Sequence, residues 1–252
     1  MSTKDRIGER FVSNEGYEMV IVEYNNNKDI IVEFQDEHKA IVHTRYQHCK
    51  DGNVKNPYHP NKYGGYLGQG KYKTTINGKT TKYYEHWHHM LQRCYDSKFQ
   101  EERSTYKDCF ANEETHCLQD FGMWFDKNYY EIEGEVMCLD KDILVKGNKE
   151  YSFNTMIFVP QRINTLFTKR DNCRGDLPIG VSYHKRDNIY RARCNTLKGT
   201  KYLGSYNTPE EAFLAYKKFK EQYIKEVADE YKDKIPQRLY DAMYAWEVEE
   251  DD

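Results

Sequence analysis

Apolar and polar positions alternate through Tyr17-Glu18-Met19-Val20-Ile21-Val22-Glu23-Tyr24 and, after Asn25-Asn26-Asn27, through Ile30-Ile31-Val32-Glu33-Phe34. A period of two, punctuated by Gly16 and the Asn run, predicts antiparallel strands, with a further strand over 40–44 completing a small sheet or barrel. The period changes at 83–98, where Trp87, Met90, Leu91 and Cys94 recur at i, i+3, i+4 and i+7, the stripe of an amphipathic helix. Leu118, Phe121, Met123, Trp124 and Phe125 predict a second helix over 116–128. From 138 to 167 the order is a short apolar run, a Gly147-Asn148 turn, the apolar run Ile157-Phe158-Val159, and a helix beyond Pro160. Residues 178–223 predict three short strands (179–183, 189–194 and 201–206) and a helix. That helix opens with Thr208 as N-cap, Pro209 at N1 and Glu210-Glu211 in the first turn. Leu239, Met243 and Trp246 predict a last short helix over 237–246, and 247–252 is an acidic tail, disordered or folded back.

Between these patterned stretches, 52–70 is rich in Gly, Pro, Asn and Tyr, as expected of a loop or a linker ordered by its tyrosines. Tyr58, Tyr63 and Tyr66, beside Lys55 and Lys62, can stack on nucleic acid or pack on a neighbouring element. The expected organisation is α+β. A small β module (1–55, SH3-like) is followed by the linker (56–78), a ββα domain with preceding helices (79–168), a three-stranded antiparallel sheet packed on one helix (176–235), and a helix with the acidic tail (236–252).

The chain has 252 residues, enough for two or three small domains, and a net charge of -3. Charge is unevenly spread: 169–205 holds nine Lys/Arg against three Asp/Glu, whereas 101–142 holds twelve acids against four bases. A basic segment for a polyanion beside an acidic one for a cation is the reading this suggests. No 18-residue apolar run and no charged-then-apolar leader are present, so a cytoplasmic location without membrane contact is expected. The seven Cys form no C-x-x-C pair, which favours free thiols in a reducing compartment over zinc, although Cys94, Cys109, Cys117 and Cys138 remain a candidate set. His86 and His89, spaced i, i+3, are compatible with metal binding, and equally with ordinary hydrogen-bonded histidines.

In the basic segment, strand alternation sends Ala192 and Cys194 toward the helix and leaves Arg191, Arg193 and Asn195 on the open face. Ser182 and His184 share that face from the first strand, Thr200 and Tyr202 from the third, and Arg186 lies in the turn between the first two. The pattern G-V-x-Y, Y-x-A-x, Y-L-G-x-Y-x-T-x-E-E-A-x-x-A-Y is similar to the DNA-binding domain of plant ethylene-response factors (Apetala type), which also occurs in phage homing endonucleases. The resemblance covers about 50 residues and implies that the open face enters the major groove of duplex DNA, where Arg reads guanine and Asn can read adenine.

The stretch 138–167 resembles the ββα-metal core of phage and bacterial HNH endonucleases. The order W-x-x-M-x-x-R-C-Y, then Phe-x-x-Trp-Phe, then Leu139-Asp140 extends that resemblance over about 85 residues. It implies Asp140 as acidic metal ligand, Thr155 at the middle Asn position, Asn164 as the helical ligand, and Mg²⁺ or Mn²⁺ as cofactor. Lys141 stands where the family has its general-base His, and a lysine accepts a proton only after a large downward pKa shift. The expected function is a metal-dependent, homing-type DNA endonuclease. The alternatives are a catalytically inactive DNA-binding or regulatory protein, or a phage protein directed at a host or phage partner.

Overall fold

A computed structural model describes residues 6–168 and 177–250 and divides the chain into two compact units, 1–102 with 110–127, and 103–109 with 128–252. The chain is mixed α+β, and its elements follow from the patterns above.

In the first unit, β1 (Arg10–Val12), β2 (Glu18–Asn26), β3 (Asp29–Phe34) and β4 (Ile41–Thr44) form an antiparallel meander in sequence order, followed by the one-turn helix α1 (Tyr46–Lys50). The period of two delivers its core: Met19 and Ile21 from β2 and Ile30, Val32 and Phe34 from β3 are fully buried with Ala40 and Cys49. The strand β1, absent from the predicted set, pairs Phe11 with Met19.

A hairpin of β5 (Thr75–Ile76) and β6 (Lys79–Thr80) leads to α2 (Lys82–Tyr95), α3 (Ser97–Glu102), the short β7 (Phe110–Ala111) and α4 (Leu118–Asn128). The stripe on α2 is buried as its spacing requires, and Trp87 also donates its indole N–H to the Thr115 carbonyl at 3.0 Å. Trp124 is buried, while Met123, assigned to the buried face by sequence, is exposed because it turns away from Phe121 and Phe125. The Gly/Tyr-rich stretch is packed onto these helices. A Cβ on Gly65 would run into Leu91 and Trp87, so only glycine allows the approach. Tyr63 is buried with its hydroxyl donating to Asp96 at 2.6 Å, which removes it from the candidate stacking residues. Tyr58 stacks on His38.

In the second unit, β8 (Met137–Asp140), the two-residue β9 (Glu150–Tyr151) and β10 (Ile157–Pro160) precede α5 (Gln161–Phe167), with β8 and β10 antiparallel and Asp140 opposite Ile157. Then β11 (Val181–His184), β12 (Ile189–Thr196) and β13 (Gly199–Tyr206) form a three-stranded antiparallel sheet with β12 central. The helix α6 (Pro209–Tyr231) crosses that sheet, and α7 (Gln237–Tyr244) follows it. Thr208 and Glu211 close a capping box around Pro209, satisfying two orphan N–H groups. Ala212, Phe213 and Tyr216 bring α6 onto Ala192 and Cys194, and Gly180, in the left-handed region, has no room for a Cβ beside the Tyr216 ring.

The α6 stripe does not stop at the sheet. Ile224, Val227, Ala228 and Tyr231 continue it into a second core with Ile157, Val159, Ile163, Leu166, Leu239 and Met243. The acidic tail, through Glu250, is folded back rather than loose. Val248 is buried, its N–H donates to Glu221 at 2.9 Å, and Ile179 N–H donates to the Glu250 carbonyl at 3.0 Å.

Candidate nucleic-acid interface and ββα site

The open sheet face is set by register. Ser182 lies opposite Arg191, which lies opposite Ser205; Arg193 faces Tyr202, and Asn195 faces Thr200. The irregularity between β12 and β13 skips Leu203, so the extra residue is on β13 and β12 keeps its alternation. Arg191, Arg193 and Asn195 therefore share one face while Ala192 and Cys194 are buried against α6. Lys185, Arg186, Arg191, Arg193, Lys198 and Lys201 face only one acid, Asp187, over residues 177–206.

That acid is built into the face. Asp187 Oδ2 accepts from Arg191 Nη2 at 3.1 Å, tethering that side chain from the β11–β12 turn, and lies 3.1 Å from His184 Nδ1. Arg186, in the same turn, is exposed. Thr200 donates its hydroxyl to Asn195 Oδ1 at 2.7 Å, and the Tyr202 and Ser205 hydroxyls share a hydrogen bond of 2.6 Å. Arg193 is exposed, and its guanidinium makes no hydrogen bond among the described residues. The face thus presents one tethered and one untethered guanidinium, a tethered amide and an exposed tyrosine ring. Lys169, Arg170 and Arg174 of the basic segment lie outside the described residues.

The ββα site is organised by Asp140 at the end of β8. Its Oδ1 accepts the N–H groups of Asp142 at 2.9 Å and Ile143 at 2.8 Å, which turns the chain out of the strand. The residue retains some exposure but its carboxyl is surrounded by protein, and burial, with the Asp142 charge second, pushes its pKa up to about 6. Two backbone N–H groups and Lys141 oppose that shift without cancelling it.

Lys141 is buried, with Nζ 3.2 Å from Asp142 Oδ2 and on the Tyr151 side of the loop. Asn148 spans the loop: its amide nitrogen donates to the Lys141 and Glu150 carbonyls, both at 2.7 Å, and its oxygen accepts from Glu150 N–H at 3.1 Å. Thr155 closes the next turn, donating to the Glu150 carbonyl at 2.9 Å and accepting from Ser152 N–H at 3.1 Å. Asp140, Lys141, Asn148 and Thr155 thus belong to one hydrogen-bonded loop. Asn164, in α5 between the buried Ile163 and Leu166, is half-buried, and its side chain stands outside that network.

Asp140 Oδ2 and the Asn164 amide oxygen are hard donors with no hydrogen bond among the described residues, of the type that suits Mg²⁺ or Mn²⁺. Among the described residues no group of three or more His, Cys, Asp or Glu is gathered to hold a metal ion. Cys94, Cys109 and Cys117 are buried and Cys138 is partly exposed, with none of the four in a disulfide among the described residues. Burial lowers the His86 pKa to about 4, so this histidine of the first unit is neutral at ordinary pH.

Asn148 and Asp187 are the residues that sequence reasoning passed over, because each lies in a stretch read only as a turn. Their signal was residue type: Asn and Asp bond neighbouring backbone or side chains from turn positions. Comparison of the chain with protein-family models, curated proteins and solved structures found no match. Among the described residues no helix is long and apolar enough to cross a membrane.

Proposed function

We propose that this protein binds duplex DNA through the open face of the β11–β12–β13 sheet and hydrolyses phosphodiesters at the ββα site with a divalent metal, as a degenerate HNH-type, homing-like endonuclease. The carrying observation is the sheet face, where Arg191, Arg193 and Asn195 project together in a basic surround while the alternate positions are buried. Arg193 is the side chain best suited to read guanine, since its five-donor fork makes no hydrogen bond among the described residues. The tethered Arg191 and Asn195 fix register, and the neighbouring Lys and Arg side chains meet phosphates.

At the ββα site, Asp140 Oδ2 and Asn164 would hold the ion, which when bound supplies charge stabilisation at a phosphoryl oxygen. Asn148 and Thr155 keep the loop in shape around Asp140. Lys141, itself buried and paired with the half-exposed Asp142, supports the loop and offers no imidazole at that position. The same ion pair favours the second reading, a DNA-binding protein that has lost hydrolysis.

The test is fluorescence anisotropy on labelled duplexes over a range of salt, with nicking assays in Mg²⁺ and Mn²⁺. Affinity is expected to fall steeply with salt, and Arg193→Ala to cost about 1 to 3 kcal/mol on the preferred site. Binding insensitive to both salt and Arg193→Ala would remove the reader. Salt-dependent binding without metal-dependent nicking would leave the second reading.

A further inference from the structure

We infer that the sheet and the ββα site act on one duplex at a single fixed spacing, because α6 and the returning C-terminal strap make them one body. This rests on the proposed DNA-binding face and goes beyond it by assigning the positioning device. Between two independently tethered modules, reach would vary with the linker. Here the connection is a packed helix. Phe213 and Tyr216 of α6 lie in the core under the sheet, and Ile224, Val227, Ala228 and Tyr231 lie in the core that contains Ile157 and Val159 of β10 and Ile163 and Leu166 of α5. The whole helix spans about 34 Å at the standard rise, and Ala212 and Ala228 are about 24 Å apart along it. That is less than one turn of B-DNA, roughly 34 to 36 Å.

The chain after α7 adds a second tie. Trp246 packs on both cores, stands edge-on to Phe167 at 4.5 Å, and lies beneath the Lys146 ammonium at 5.2 Å. Lys146, in the loop that follows Asp140, donates to the Glu247 carbonyl at 2.7 Å. Val248 and Glu250 then reach α6 at Glu221 and the start of the sheet at Ile179. One strap of five residues thus touches the metal-site loop, α5, α6 and the sheet. A bend at α6 would have to open two cores and this strap together.

The consequence is a defined offset between the base pairs under β12 and the phosphate presented to Asp140. The test does not need intrinsic nuclease activity. Full-length protein lacking the Cys138 and Cys173 thiols and carrying Val145→Cys, an exposed position in the Asp140 loop, is labelled with an iron chelate. It is then bound at saturation, checked by anisotropy, to an end-labelled duplex holding the preferred site, and scission is triggered by peroxide and ascorbate. One compact cluster of cuts at a constant offset is expected, moving base for base when the preferred site is moved. Scission spread evenly along saturated DNA would overturn the inference while leaving the reader intact. Absence of binding in the anisotropy control would overturn both. In the same background Trp246→Ala is expected to broaden the cluster while changing affinity less than about three-fold, and an unchanged cluster would overturn the role given to the strap.

Discussion

Asp140 is held as a buried carboxylate at a cost to stability, and Asp140→Asn exposes that cost. Its folded pKa, about 6, lies above the ordinary carboxylate value of 3.8. Between these values the folded state keeps a proton that the unfolded chain has lost. The contribution of Asp140 to stability is therefore most favourable below pH 4, falls as pH rises through 4 to 6, and is lowest above 6. Two pKa units correspond to about 3 kcal/mol at 1.36 kcal/mol each, as a ceiling. Sharing of charge with Asp142 and relaxation of the loop reduce the expected gain of Asp140→Asn to about 1 to 2 kcal/mol at pH 8, vanishing near pH 4. Asparagine retains the oxygen that accepts from Asp142 and Ile143 N–H, so the loop survives. Asp140→Ala removes that acceptor and is expected to lose about 1 to 3 kcal/mol instead.

The assay is urea denaturation followed by tryptophan fluorescence, in Trp87→Phe/Trp124→Phe protein so that Trp246 alone reports on the second unit. Mn²⁺ should stabilise the protein with Asp140 intact and leave the Asn variant unchanged, since a ligand stabilises only the state that binds it. An Asn variant less stable than its parent at pH 8 would refute the argument that the carboxylate is strained by burial.

Three further outcomes are expected. Asp187→Ala, which frees Arg191 and removes the one acid within residues 177–206, should raise affinity for random duplex about two- to ten-fold while narrowing discrimination for the preferred site, as read by competition anisotropy. Trp87→Ala should destabilise the first unit by about 3 to 5 kcal/mol in circular dichroism melts, because it empties a fully buried site and strands the Thr115 carbonyl. For His86, whose folded pKa of about 4 lies below the ordinary 6.5, stability is full above pH 6.5 and is lost as pH falls toward 4; His86→Gln should flatten that limb by about 1 to 2 kcal/mol in pH-dependent urea titrations.

Local chemistry was legible wherever one face of an element is buried and the other wet. Strand alternation alone placed Arg191, Arg193 and Asn195 together, because the irregularity falls on β13 and leaves β12 in phase. Likewise Thr208-Pro209 and Glu211 carry their helix start in their own side chains, and the α2 stripe needs no partner to be read. What the tertiary structure decided are the choices of partner. Ile224, Val227, Ala228 and Tyr231 extend the α6 stripe in sequence, but nothing local says that they leave the sheet for β10 and α5. Lys141 stands between two aspartates in sequence, and nothing local says that the loop closed by Asn148 buries its side chain against Asp142. The acidic tail reads as disordered or folded back, and the structure folds it back, with Val248 buried and backbone groups bonded to Glu221 and Ile179. Hydrophobic periodicity names the face that an element must bury. Only the meeting of elements distant in sequence determines what covers that face, and which polar groups are enclosed with it.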